Sequence, residues 1–294
     1  MISVFGSANM DLVAYVAQAP ALGETVTGRA FRAIPGGKGA NQAVAAARAG
    51  GSVLFLGAVG DDAFGPELRA TLAGAGVDVT HLRTEPGPSG IAHIVVDDRG
   101  GNSIIVVPGA NGAVTGPTDA GAEAIGRSGA LLLQLELPLA AVTEAARRAR
   151  TEVILTPAPV VPLPGDLLDA VTLILPNEHE AAAITGRKDP GQALAELLER
   201  VPEAVITLGG EGALYGARDA APVHVPAFEV RAVDTTAAGD TFAGALAVAR
   251  EEGRPPADAL RFASAAAALS VQREGASTSM PLRAEIDRFL AERP

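Results

Sequence analysis

The sequence predicts an α/β fold: a doubly wound, mostly parallel sheet flanked by helices, with a small β-sheet lid. Six short apolar runs, alanine-rich helical stretches between them, and two strand pairs outside that alternation carry this expectation. The 294 residues are 48% hydrophobic and 19% charged. That is a globular composition; the length allows two small domains or one large α/β unit, and a single domain over 1–294 is the expectation.

The apolar runs at 2–5, 53–56, 131–135, 153–155, 171–175 and 204–208 lack polar alternation and read as strands covered on both faces. Helical segments at 40–49, 65–75, 139–150, 178–185 and 190–200 lie between them, the alternation of a parallel sheet with helices on both sides. The last third changes character, with helices expected at 240–252, 256–272 and 283–291. Residues 13–16 with 25–32, and 91–97 with 103–107, look like exposed strands, the second pair joined by a Gly100-Gly101-Asn102 turn. They are expected to form the lid, inserted at about 12–34 and 90–108, although two plain surface hairpins would fit the same pattern. Four prolines, at 157, 159, 162 and 164, mark a stiff loop.

Lys and Arg total 23 against 34 Asp and Glu, for a net charge of −11. A nucleic-acid or acidic-membrane partner would require a basic face, so neither is expected. The absence of cysteine removes disulfides, thiolate metal sites and a thiol nucleophile. His81, His93, His179 and His224 are too scattered for a histidine metal site. The most apolar stretch, 131–142, is broken by Gln134, Glu136 and Pro138, and the first ten residues lack the Lys or Arg of a secretory leader. A cytoplasmic protein is expected.

Four motifs point to chemistry. Gly36-Gly37-Lys38-Gly39-Ala40-Asn41 opens a helix: its glycines would let backbone approach a ligand, and Lys38 and Asn41 add polar reach. It is neither a Walker A loop nor a dinucleotide fingerprint, because Lys38 is followed by Gly39. In Asp234-Thr235-Thr236-Ala237-Ala238-Gly239-Asp240, successive amides at a helix start would hold the charge on a transferring phosphoryl group, and Asp240 would take a proton from an attacking hydroxyl. The alternative is a first-turn acid that only stabilises its helix. Thr207-Leu208-Gly209-Gly210-Glu211-Gly212 suits close approach of a nucleotide, or a plain turn. Asn177-Glu178-His179-Glu180 could touch phosphate or hydrated magnesium, or simply cap a helix. Together with Glu136 at a strand end, these motifs fall beyond the carboxyl ends of strands, where open α/β sheets bind ligands.

From Gly6-Ser7-Ala8-Asn9-Met10-Asp11 through the glycine motif and Gln134-Leu135-Glu136 to Asp234–Asp240, the chain resembles the ribokinase branch of the PfkB carbohydrate kinases along nearly its whole length. The resemblance implies ATP-dependent phosphorylation of the 5-hydroxyl of D-ribose, with a lid that doubles as a homodimer interface. It assigns Asp240 as base beside an anion hole of Ala237, Ala238 and Gly239. Asn9, Asp11, Gly37, Lys38, Gly39, Asn41 and Glu136 would hold the sugar. Asn177, Thr207, Leu208, Gly209, Gly210, Glu211, Gly212, Gly239 and Ser264 would line the nucleotide. Glu180 would help hold Mg2+ indirectly. A K+ site would use the side chains of Asp234 and Ser279 and the carbonyls of Thr236, Ser270, Arg273 and Gly275. The chain departs from many relatives at Ser264, where they carry Asn or His, and at Ala237, where they carry Gly.

Within the family, deoxyribose, fructose and adenosine remain alternative acceptors, although 3% aromatic residues offer little stacking for a base. Outside it, a dinucleotide oxidoreductase lacks its glycine fingerprint. A non-catalytic sugar or nucleotide sensor would have no use for Asp240.

Overall fold

The computed structural model describes residues 1–293. In chain order the strands are β1 (Ile2–Phe5), β2 (Asn9–Tyr15), β3 (Ala30–Gly36), β4 (Val53–Gly60), β5 (Asp78–Glu85), β6 (Gly90–Val96), β7 (Asn102–Val107), β8 (Ala130–Leu133), β9 (Glu152–Leu155), β10 (Leu173–Ile174), β11 (Glu203–Thr207), β12 (Ala213–Ala217) and β13 (Val223–Val225). The helices are α1 (Lys38–Arg48), α2 (Phe64–Gly74), α3 (Asp119–Arg127), α4 (Leu139–Arg148), α5 (Gly165–Leu168), α6 (Glu178–Thr185), α7 (Pro190–Leu198), α8 (Ala238–Glu251), α9 (Pro256–Ser270) and α10 (Arg283–Ala291).

Nine strands form the main sheet in the order β13-β12-β11-β10-β9-β8-β1-β4-β5. All neighbours from β11 to β5 pair parallel, and β12 and β13 add an antiparallel margin. One apolar layer packs α1, α2, α8, α9 and α10 on one face. The other packs α3 to α7 on the opposite face. The six apolar runs became β1, β4, β8, β9, β10 and β11 because burial on both faces removes any need for alternation.

Two margins of the sheet escaped the sequence reading. β5 alternates exposed and covered residues at the edge, so it has no apolar run, and β12 and β13 are short antiparallel additions. Helix α3 was also missed; Thr118 caps it by accepting from the Gly121 N–H at 3.1 Å.

The lid is a separate four-stranded sheet, β3-β2-β6-β7. Its strands lie closer to the body than expected. β2 begins at Asn9 and β3 ends at Gly36, with Asn9 opposite Gly36 and Gly90. Residues 25–29 lie outside any strand. The β6–β7 connection is a five-residue loop, 97–101, and not the expected Gly100-Gly101-Asn102 turn, since Val96 pairs with Asn102, which belongs to β7. Asp97 closes it by accepting from the N–H groups of Arg99 and Gly101, both at 2.9 Å.

Helix α8 crosses the body from the carboxyl ends of the strands to their amino ends. There Arg250 is clasped by Glu152 at 2.6 Å and Glu203 at 2.8 Å, and the Tyr215 hydroxyl donates to Glu203 at 2.9 Å. No helix among the described residues is long and apolar enough to cross a membrane.

Candidate active site

The chain winds outward from β1 in both directions, to β4 and β5 on one side and to β8 on the other. A crevice therefore opens between the loops after β1 and β8, the topological switch point. There Lys38 N–H donates to Glu136 Oε2 at 2.9 Å, and the Ser7 hydroxyl donates to the same oxygen. Gly39 N–H donates to Ser7 Oγ at 3.3 Å, and Ala40 N–H to Ser7 O at 2.8 Å. Helix α1 starts at Gly37, which has no side chain to cap it; Ser7 and Glu136, from two other segments, supply its missing acceptors. Among the described residues the bonds from Ser7 and Lys38 both go to Oε2 and none goes to Glu136 Oε1.

The glycines of this loop also lie at close range to the chain's own atoms. A Cβ on Gly36 would sit 2.3 Å from Asp11 Oδ2, on Gly37 2.8 Å from Asn9 N, and on Gly39 2.5 Å from Ser7 N. They admit the chain's own β1–β2 crossing, and Gly37 also needs its left-handed φ of 92°. Their close packing draws Asn9 and Asp11 beside Lys38. Asn111, just after the lid, donates to Asn9 Oδ1 at 2.7 Å and to Ala8 O at 3.2 Å, while accepting from Ala8 N–H at 3.1 Å. That leaves the Asn9 amide NH2 available to a ligand.

Burial pushes the Asp11 carboxyl up to about 7, aided by Glu136 and Asp240 and opposed by Lys38. Between about pH 4 and 7 the unfolded chain has released this proton and the folded one has not, so stability falls over that range and stays lowered above it. Asp11→Asn is therefore expected to raise the melting temperature at pH 8, by about 2–4 °C for each kcal/mol relieved, and to leave it unchanged near pH 4. Calorimetric scans at the two pH values check this; an equal effect at both would contradict it.

Asp240 sits in the first turn of α8, which begins at Ala238, two residues before the expected start. Asn41 Nδ2 donates to its Oδ2 at 3.2 Å and Gln42 Nε2 to its Oδ1 at 3.0 Å. Burial raises its carboxyl to about 6 against the pull of Lys38, Gln42 and Asn41, with Glu136 adding to the rise. A base of that strength is ionised at neutral pH and is a better proton acceptor than an exposed Asp. Ala238 N–H is turned to Thr235 O at 3.2 Å, whereas the Gly239 and Asp240 N–H groups find no acceptor among the described residues. Ala237 adopts a left-handed φ of 57°, which presents this turn.

A cleft of about 310 Å³ adjoins the start of α8. Of the residues expected to line a nucleotide, Thr207, Gly209, Gly210, Gly212, Gly239 and Ser264 border it; Asn177, Leu208 and Glu211 do not. Phe228, Val230, Phe242 and Val271 supply apolar walls that carried no motif signal. Asn177 lies beside Thr207 through a parallel bridge. It caps α6 by accepting from the N–H groups of His179 and Glu180, while Glu180 Oε2 accepts from Asn177 N–H at 2.8 Å.

Next to the cleft, Val233 N–H donates to Val271 O at 2.7 Å and Gly275 N–H to Asp234 Oδ2 at 2.9 Å, which ties the loop before α8 to the loop after α9. Although burial works the other way, hydrogen bonds from Thr236 and the Gly275 N–H hold the Asp234 carboxyl below its ordinary range. Ser270 O accepts from Arg273 N–H, and Ser279 Oγ donates to Ala276 O. The expected cation ligands thus share one loop cluster around an ionised carboxylate.

A polar basin rich in carboxylates, an apolar cleft and the half-buried Asp240 carboxylate between them are the parts a carbohydrate phosphotransferase needs. The pfkB family carbohydrate kinase model matches residues 1–283, and the chain belongs to that family. It is 43% identical to a ribokinase of Bacillus subtilis, covering 99% of both chains. It is 36% identical to a deoxyribokinase of Salmonella typhi, over 99% of this chain and 98% of that one. The structure of Arabidopsis thaliana ribokinase complexed with ribose and ATP superimposes with a TM-score of 0.93 at 34% identity, covering 98% of each chain.

Proposed function

We infer that the chain transfers the γ-phosphoryl group of ATP to the 5-hydroxyl of D-ribose, giving ribose 5-phosphate and ADP. The observation that carries the assignment is Asp240: a half-buried carboxylate held by two amides, at a helix start whose Gly239 and Asp240 N–H groups have no acceptor among the described residues. The sugar hydroxyl loses its proton to Asp240 as its oxygen bonds to phosphorus and the bond to the β-phosphate oxygen breaks. The free amides face the negative charge on the transferring group.

The sugar side is assembled from Asn9, Asp11, Lys38, Asn41 and Glu136. Asn41 Oδ1 is buried without any protein donor, as suits an acceptor kept for a substrate hydroxyl. The nucleotide side is the apolar cleft, bordered by Thr207, Gly209, Gly210 and Gly212, with Asn177 beside Thr207. Ser264 there is small and leaves the base few side-chain hydrogen bonds.

Among the described residues no three His, Asp or Glu side chains converge on one point. Magnesium would accordingly be held by phosphate oxygens and water, with the remaining oxygen of Glu180 reaching it from outside; it would neutralise phosphate charge. Potassium suits the Asp234 loop cluster and would strengthen the positive field at the start of α8. Exposed Phe31, Ile104, Ile105, Val106 and Val107 give the lid an apolar surface that fits a second copy of the chain. A cytoplasmic location, where ATP is supplied, goes with this reading.

ADP release measured over ribose, deoxyribose, fructose and adenosine, in potassium and in a bulky organic cation at equal ionic strength, tests the reading. Ribose in potassium is expected to be fastest. No sugar-dependent release removes the assignment, a preference for deoxyribose transfers it to that sugar, and equal rates in both cations remove the potassium site. The sedimentation mass of the same sample reads the dimer, and a monomer removes it.

A further inference from the structure

We propose that Gln42 is a positioning residue for phosphoryl transfer, its buried amide fixing the rotamer in which the Asp240 carboxylate receives the sugar proton. The inference rests on the sugar-kinase reading for the task of Asp240, but its geometry is independent of which sugar is used. Gln42 lies on α1 with 1% of its surface exposed, and it binds three groups from three different elements. One Nε2 hydrogen goes to Asp240 Oδ1 at 3.0 Å and the other to Thr156 Oγ1 at 2.9 Å; its Oε1 accepts from Gln134 Nε2 at 2.6 Å.

The polarity of this chain of bonds admits one arrangement. The Thr156 hydroxyl donates to Leu133 O at 3.1 Å, so it can only accept from Gln42. An ionised Asp240 can likewise only accept. Both neighbours therefore demand the NH2 end of the amide, and Gln134 meets the opposite end with its own NH2. Turning Gln42 over would set its oxygen against a carboxylate and an occupied hydroxyl. Gln134 fits here because Gly6 has no side chain: a Cβ there would lie 2.1 Å from Gln134 Oε1. The network thus runs from Gln134, at the end of β8, through Gln42 to the carboxylate without an exposed member.

Asn41 holds the other oxygen of Asp240 but has been placed on the sugar, and its own Oδ1 is unpartnered. Gln42 is spent entirely inside the protein. Its role is to aim the base and, by donating to the charged form, to favour it. The charged groups that face Asp240 are Lys38 from α1, Glu136 from the segment after β8 and Asp11 from β2. Lys38 favours ionisation and the two acids oppose it, so removal of the Gln42 donor leaves the opposition less balanced.

Gln42→Leu, with Gln42→Asn as a variant that keeps buried polarity but falls one methylene short, separates aiming from folding. Expected in both is a fall in kcat of about tenfold or more with KM for ribose and ATP little changed, the pattern of weakened transition-state stabilisation with substrate binding kept. The acid limb of kcat should move up by about one pH unit. Carbon-13 titration of the Asp240 carboxyl without substrate should move the same way. If the wild type turns over and neither the limb nor the carboxyl titration moves in either variant, the proposal fails. If the wild type releases no ADP with any sugar, the functional reading fails, and the carboxyl titration still decides the positioning role.

Discussion

Asp240→Asn should lower kcat by about 10²–10⁴, the usual contribution of a general base, while ribose and ATP bind nearly as in the wild type. The amide keeps the volume of the carboxylate, so the walls shaped by Lys38, Asn41 and Glu136 stay in place. What is lost is the proton acceptor. In addition, the two amides that point N–H groups at Asp240, from Asn41 at 3.2 Å and Gln42 at 3.0 Å, now meet one oxygen and one NH2. Calorimetric titration paired with coupled ADP release checks both halves of the expectation. Turnover within tenfold of wild type would remove Asp240 from the mechanism, whereas loss of binding would make it a structural acid.

Gly244→Ala is expected to be nearly as damaging, although residue 244 touches no substrate. It lies one turn beyond Asp240 on α8, where that helix presses on α1. A Cβ there would stand 2.6 Å from Gln42 O, 2.7 Å from Ala45 Cβ and 2.7 Å from Ala46 N. Two of these are backbone atoms that no rotamer change can move aside, so the helices must separate. Overpacking of this kind costs about 1–3 kcal/mol and should lower the melting temperature. It also draws Asp240 away from Asn41 and Gln42, and a 1 Å misplacement of a catalytic group is worth about 10² in rate. A thermal scan together with kcat measures the two effects; a variant with unchanged kcat would show that Asp240 does not depend on the α1–α8 spacing.

The parts of this molecule that were legible in its sequence share one property: their environment is set locally. Runs such as 153–155 announce a strand because each residue must be apolar, and α6 and α10 begin and end where expected. The glycine motif and the Asp234–Asp240 segment stood out as contiguous signals. Ser7, Gln42, Asn111 and Thr156 did not. Each is an ordinary polar residue whose meaning comes from a partner far along the chain, Ser7 with Glu136 and Gln42 with Asp240. The edge strand β5 was hidden for a related reason, since exposure on one side lets polar residues interrupt it. The close packing of Gly36, Gly37 and Gly39 against Asp11, Asn9 and Ser7 is likewise silent in the sequence, because it depends on segments far along the chain.

The placement of β2 has one more consequence. Asn9 and Asp11 are lid residues, whereas Lys38, Asn41 and Glu136 belong to the body, so the proposed sugar basin is divided between two sheets joined by four chain crossings near Ala8, Gly37, Ser89 and Gly109. A ligand that bridges both halves ties the angle between them to its own occupancy. A donor dye on the lid loop and an acceptor dye on α3 would turn that angle into an optical signal, giving a sugar reporter that needs no turnover.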